Sequence, residues 1–141
     1  MRFMVMIKAS ADSEADMAPE EGLLLKMGQY NEELVKAGIM VDGAGLMSSA
    51  KGARVQVADG RPIITDGPFA DTKEVIAGFW IWQCSSLQEA IDWVARCPIA
   101  HGQDRFEIRQ MHELEDFASE GEGYEQHKKV EAELAAQKSG A

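Results

Sequence analysis

The chain predicts an α+β fold of the split βαβ type, on three observations. Two amphipathic stretches with helix start and stop signals, residues 19–38 and 86–98, each stand between apolar runs of strand length. An alternating stretch folded about Asp59-Gly60 separates the two halves. Two βαβ-type units joined in this way place both helices on one face of a single sheet and leave the inserted hairpin outside the repeat.

Each element follows from local chemistry. Phe3-Met4-Val5-Met6-Ile7 is a continuous apolar run, as expected of a central strand covered on both faces. After a polar loop, Pro19-Glu20-Glu21 opens a helix with proline at N1 and acids in the first turn. Leu23, Met27, Tyr30 and Leu34 repeat along one helical face, and Gly38 closes the helix at C′. Ile39-Met40-Val41 resumes as a strand, with Gly43-Ala44-Gly45 as its flexible exit. Ala53, Val55 and Val57 alternate with Arg54 and Gln56 before the Asp59-Gly60 turn, and Pro62-Ile63-Ile64-Thr65 returns, Pro62 implying an edge position or a strand start. From Ile76 to Cys84 the next strand puts Phe79 and Ile81 on one face and Trp80, Trp82 and Cys84 on the other, so both faces need cover. Ser86-Leu87-Gln88-Glu89 is a capping box; Leu87, Ile91 and Val94 form the expected buried stripe, and Pro98 is the stop. Phe106 and Ile108 mark a last strand, with Arg105, Glu107 and Arg109 opposite them. The tail, Tyr124 to Gln137, predicts a short helix with Val130 and Leu134 at i, i+4.

Composition narrows the partners. With 141 residues, 45% hydrophobic and 27% charged, the chain has the usage of one globular domain. A formal charge of −10 argues against nucleic acid and against anionic membrane surfaces. The acidic stretches Asp12 to Glu21 and Glu113 to Glu125 read as solubilising. No apolar run approaches the ~18 residues of a membrane span, and the first residues lack a signal-like pattern, so a cytoplasmic location is expected. Cys84 and Cys97 have neither CxxC nor metal-ligand spacing and read as small core hydrophobes. His101, His112 and His127 match no ligand motif, and no metal or cofactor is expected. Ser48-Ser49 reads as ordinary loop.

The most informative stretch is Thr65-Asp66-Gly67-Pro68-Phe69-Ala70-Asp71-Thr72-Lys73-Glu74, where four charged side chains surround a turn fixed by Gly67 and Pro68. Together with Gly78-Phe79-Trp80 and the segment Ala90 to Pro98, it resembles the DGPF branch of the YCII-related domain family. The resemblance covers Met1 to about Met111. It implies a ferredoxin-like βαββαβ domain over residues 1–111, dimerising through its sheet face into an α+β barrel, with residues 112–141 as a C-terminal extension. In YCII-like proteins a histidine on the first helix and an acid after the second strand form a proposed catalytic pair. Here that helix offers Tyr30 and Asn31 instead. DGPF relatives also carry a glutamate where this chain has Ala44, although Asp42 is close by.

An unpaired sheet face bearing Trp80 or Trp82 predicts a homodimer on packing grounds as well. The candidate ligand-binding residues are Tyr30, Arg54, Asp66, Phe69, Lys73, Glu74, Trp80 and Trp82; the catalytic candidates are Lys73, Asp66 and Asp42. If Lys73 and Glu74 sit on a strand they point to opposite faces, so only one reaches a cleft between the sheets. Three functions fit: a small-molecule-binding module with its cleft between the sheets of the homodimer, a cofactor-independent isomerase or lyase, and an accessory protein-interaction subunit of a transcription-regulatory system. The binding module is favoured, for an aromatic or anionic ligand.

Overall fold

The computed structural model describes residues 1–70, 73–100 and 105–140. Two compact units divide the chain, Met1–Gln110 and Met111–Ala141. In the first, β1 (Arg2–Lys8), β2 (Met40–Gly45), β5 (Ile76–Gln83) and β6 (Phe106–Gln110) form an antiparallel sheet in the order β2-β5-β1-β6. Between them lie α1 (Ala11–Glu14), α2 (Glu21–Lys36), the hairpin of β3 (Ala53–Ala58) and β4 (Arg61–Asp66), and α3 (Leu87–Ala95). The chain thus has the expected α+β architecture, with the hairpin as a separate two-stranded sheet.

The core lies on one face of the four-stranded sheet. Phe3, Val5, Trp80 and Trp82 point to it from β1 and β5, and meet Tyr30 and Leu34 of α2, Ala90 of α3 and the thiol of Cys97. Two polar tips within this layer are satisfied across elements, while the buried Trp82 indole N–H has no partner among the described residues. The Tyr30 hydroxyl donates to the Trp93 carbonyl at 2.6 Å, and the Trp80 indole N–H donates to Asn31 Oδ1 at 3.0 Å. Gly43 makes room for that indole, since a Cβ there would stand 2.9 Å from Trp80 Cδ1. Burial raises the pKa of the Tyr30 phenol and pushes the Cys84 thiol up to about 11, so both stay neutral.

The opposite face carries Met4 and Met6 of β1, paired with Ile81 and Phe79 of β5. None of the four joins the core cluster. This corrects the expectation that an indole faces a partner sheet: Trp80 and Trp82 are under the helices, and the thioethers, Phe79 and Ile81 carry the other side. Alternation divides the strand into two apolar faces without saying which one the helices cover.

Several local expectations shift. Residues Ala11–Glu14 form one helical turn inside the expected polar loop, capped by Ser10, whose side chain accepts the Ser13 N–H at 3.2 Å. α2 begins at Glu21 with Glu20 as N-cap, so Pro19 precedes the cap rather than occupying N1. Its other end is as expected: Gly38 has φ 72°, and the N–H groups of Gly38 and Ile39 bond the Val35 and Leu34 carbonyls in a Schellman closure. Gly43-Ala44-Gly45 is paired strand, not a flexible exit. In α3, Ser86 caps the Glu89 N–H at 3.1 Å while the Glu89 carboxylate reaches Ser85 instead of Ser86. Leu87 and Ile91 face outward, and Ala90 with Val94 and Trp93 forms the packed row. Small Ala90 lets the helix axis approach the sheet, which a Leu at that position would prevent.

The second unit has a 3₁₀ turn at Leu114–Asp116 and α4 (Glu122–Ser139). At 18 residues, α4 is longer than the short helix expected, and none of its residues is buried. No helix among the described residues is long and apolar enough to cross a membrane.

Candidate functional site

Antiparallel pairing brings three chain segments to one end of the main sheet. β1 leaves at Lys8 beside Ile76, where β5 begins, and β2 leaves at Gly45 beside Gly78. α1, the Leu46–Gly52 segment and the turn after β4 therefore meet at that end.

Ser49 is the bracket between them. Its N–H donates to Glu14 Oε1 at 2.9 Å, its hydroxyl donates to Glu14 Oε2, and its Oγ accepts the Phe69 N–H at 3.0 Å. Next to it, the Ser48 N–H donates to Asp16 Oδ1 at 2.7 Å, and Lys51 Nζ pairs with Asp16 Oδ2 at 3.3 Å. The Ser48 N–H, helped by Lys51, holds the Asp16 carboxyl below its ordinary pKa. Ser48 and Ser49 are the buried polar residues of the described core, at 5% and 8% exposure, and both are satisfied by carboxylates from α1 and its following turn.

The turn after β4 is moulded onto this bracket. Gly67 lies so close to the Ser49 backbone that a Cβ would stand 1.7 Å from the Ser49 carbonyl oxygen, and its N–H donates to the Gly52 carbonyl at 3.1 Å. Only glycine fits there. The Gly67-Pro68 peptide is cis. Phe69 then turns inward, and the Arg54 guanidinium lies over its ring at 4.0 Å from the centroid.

A pocket of about 420 Å³ opens at this junction. Leu46, Met47, Phe69, Val75 and Ile76 give it apolar walls, and Ser48, Ser49, Lys51, Arg54 and Glu74 give it polar ones. Among the described residues Lys51 is already paired with Asp16, whereas Arg54 has no carboxylate partner. No cluster of three or more His, Cys, Asp or Glu suited to a metal exists among the described residues.

The candidate residues divide sharply. Arg54, Phe69 and Glu74 come together in the pocket wall. Tyr30, Trp80 and Trp82 do not; they are core, between 0% and 5% exposed. Asp66 is the exposed last residue of β4. Lys73 and Glu74 lie in a turn, both exposed, so the opposite-face argument made for a strand does not apply to them. Asp42 is occupied locally, Oδ1 accepting the Gly43 N–H at 2.8 Å. Asp71 and His101 lie outside the described residues. Sequence reasoning missed Glu14, Asp16, Ser48, Ser49 and Lys51. Their partners are up to 35 residues away, and no local pattern links them.

Comparison with known proteins bears on the family. An uncharacterised protein of Rhizobium meliloti (strain 1021) is 34% identical over 74 residues, a match covering 52% of this chain and 60% of that protein. Among solved structures, 5-chloro-2-hydroxyhydroquinone dehydrochlorinase (TftG) from Burkholderia phenoliruptrix AC1100, in complex with 2,5-dihydroxybenzoquinone, superposes with a TM-score of 0.46 at 19% identity. That likeness covers 79% of this chain and 94% of the other. The YCII-related domain profile matches residues 1–115, most of the chain and all of its first compact unit. The chain belongs to the YCII-related domain family.

Proposed function

We propose that this protein is a small-molecule-binding homodimer of the DGPF branch, and that its ligand site is the pocket under the Asp66-to-Ala70 turn. The observation that carries the reading is Arg54, its guanidinium carbon over the Phe69 ring at 4.0 Å from the centroid in an apolar-walled pocket and without a carboxylate partner among the described residues. A guanidinium held in place by an aromatic ring offers a planar fork to an anion, while Leu46, Met47 and Ile76 suit a flat apolar body. The ligand class is therefore an aromatic acid or a similarly shaped anion. Ser49 is satisfied on both sides, by Glu14 and by the Phe69 N–H, which makes it a bracket for the site and favours binding over nucleophilic chemistry. The dimer reading rests on the sheet face away from the helices, where Met4, Met6, Phe79 and Ile81 lie outside the core and are only partly buried.

Titration calorimetry with benzoate and its neutral counterpart benzamide tests the site. Benzoate binds and benzamide does not, and Arg54→Met weakens benzoate by about 10- to 100-fold, the loss of one charge-assisted contact. Equal affinity for acid and amide, or an Arg54→Met variant that binds as the parent does, overturns the assignment.

A further inference from the structure

We propose that the β3–β4 hairpin is a dimer arm, whose apolar face packs against a second copy of this chain. The inference rests on the homodimer reading above and extends it from the sheet face to the hairpin.

No residue of either strand is buried. Register places Val55 opposite Ile64 and Val57 opposite Pro62 on one face of the hairpin. Val55, Val57 and Ile64 are 61%, 70% and 59% exposed. Two antiparallel strands with nothing against them are marginal in water, because ladder hydrogen bonds alone do not offset the ordering of the chain. Yet this hairpin is firmly mounted. Its turn takes positive φ at both Asp59 and Gly60, as a two-residue hairpin loop requires, and its base is held by Gly67, Phe69 and Ser49. A well-anchored arm with an uncovered apolar face is built to be covered by something else.

Charge and area indicate what covers it. Within β3, the turn and β4, Arg54 and Arg61 balance Asp59 and Asp66, so the arm is neutral although the chain carries −10. Two acidic copies repel over most of their surface and can meet here without that penalty. The branched side chains make a patch of a few hundred Å², the size that marks an interface on a monomer. A stable interface buries at least roughly 1,200 Å² in total, so the arm alone falls short and a second surface has to join it. The sheet face with Met4, Met6, Phe79 and Ile81, partly buried and outside the core, is such a surface on the same unit, and a two-fold assembly buries both at once.

Sedimentation equilibrium on the full chain is the test, comparing the parent with Val57→Glu/Ile64→Glu and with Phe79→Glu. Both substituted residues of the arm are exposed, so that variant folds, and its far-UV circular dichroism matches the parent. It dissociates at least 100-fold more readily than the parent. A dimer weakened by Phe79→Glu but untouched by the arm variant overturns the arm and leaves the sheet-face dimer standing, and the arm's occupant is then another protein. A parent that is monomeric at micromolar concentration overturns both. As a second readout, the amide protons of Val55, Val57 and Ile64 exchange more slowly above the dissociation constant than below it; identical rates overturn the arm independently of any variant.

Discussion

β5 and the β3–β4 hairpin are both antiparallel, and both are rich in branched or aromatic residues, yet they stand at opposite extremes of burial. Trp82 of β5 is wholly buried under two helices, while Val57 of the hairpin is 70% exposed. The difference shows that strand pairing and strand stability are separate matters: hydrogen bonds set the register, and apolar cover supplies the free energy. It also shows how the molecule divides its labour. The covered sheet is a platform, and the uncovered hairpin and its turn are what the platform presents.

The sharpest way to break the comparison is Trp82→Ala. Removing a fully enclosed indole costs on the order of 3–5 kcal/mol, read as a lower urea midpoint at fixed protein concentration; a loss below about 1 kcal/mol would mean that the helices do not bear on β5 as described. Gly67→Ala comes next, at roughly 2–4 kcal/mol, because the added methyl meets the Ser49 carbonyl and backbone has to move. The same variant binds benzoate more weakly, since Phe69 moves with the turn. Ser49→Ala removes the hydroxyl that joins Glu14 to Phe69 and leaves a carboxylate and an amide without it, a cost of about 2–3 kcal/mol in thermal unfolding. At the small end, Val57→Thr changes stability by less than about 0.5 kcal/mol when measured below the dissociation constant, where the hairpin is solvated on that side. A large effect there would mean that the hairpin face is covered within one chain.

Asp16 adds a pH dependence of known sign. Its folded pKa is depressed by the Ser48 N–H, so its contribution is present above the unfolded carboxyl value and is lost as pH falls through the lower folded one. Asp16→Asn therefore lowers stability in the neutral region and converges on the parent at low pH, which leaves the acid limb of its profile shallower.

How much of this was legible in the sequence depended on the range of the chemistry. The Asp59-Gly60 turn and the Gly38 stop were readable because each is decided by backbone preferences within a few residues, and both adopt the positive φ those residues permit. The stripe on α2 was readable because Tyr30 and Leu34 are both large and apolar. On α3 the same logic chose Leu87 and Ile91, whereas close packing against the sheet selected Ala90, a residue whose size gives it little weight in a periodic pattern. The two faces of β5 are equally apolar in sequence, so only the topology decided that the indoles go inward. The site was least legible. Glu14, Ser49 and Phe69 are brought together by the ends of three strands, and nothing near Glu14 in the chain distinguishes it from a solubilising acid.

The two buried thiols give the fold a chemical stopwatch. Cys84 and Cys97 are each 2% exposed, and burial keeps both protonated and out of reach of alkylating reagents. Labelling then proceeds only when the layer between β5 and α3 parts, so its rate counts openings of the platform and is blind to movements of the hairpin. A ligand that settles the turn while leaving this clock unchanged acts on the presented part of the molecule alone; one that slows it has tightened the whole domain.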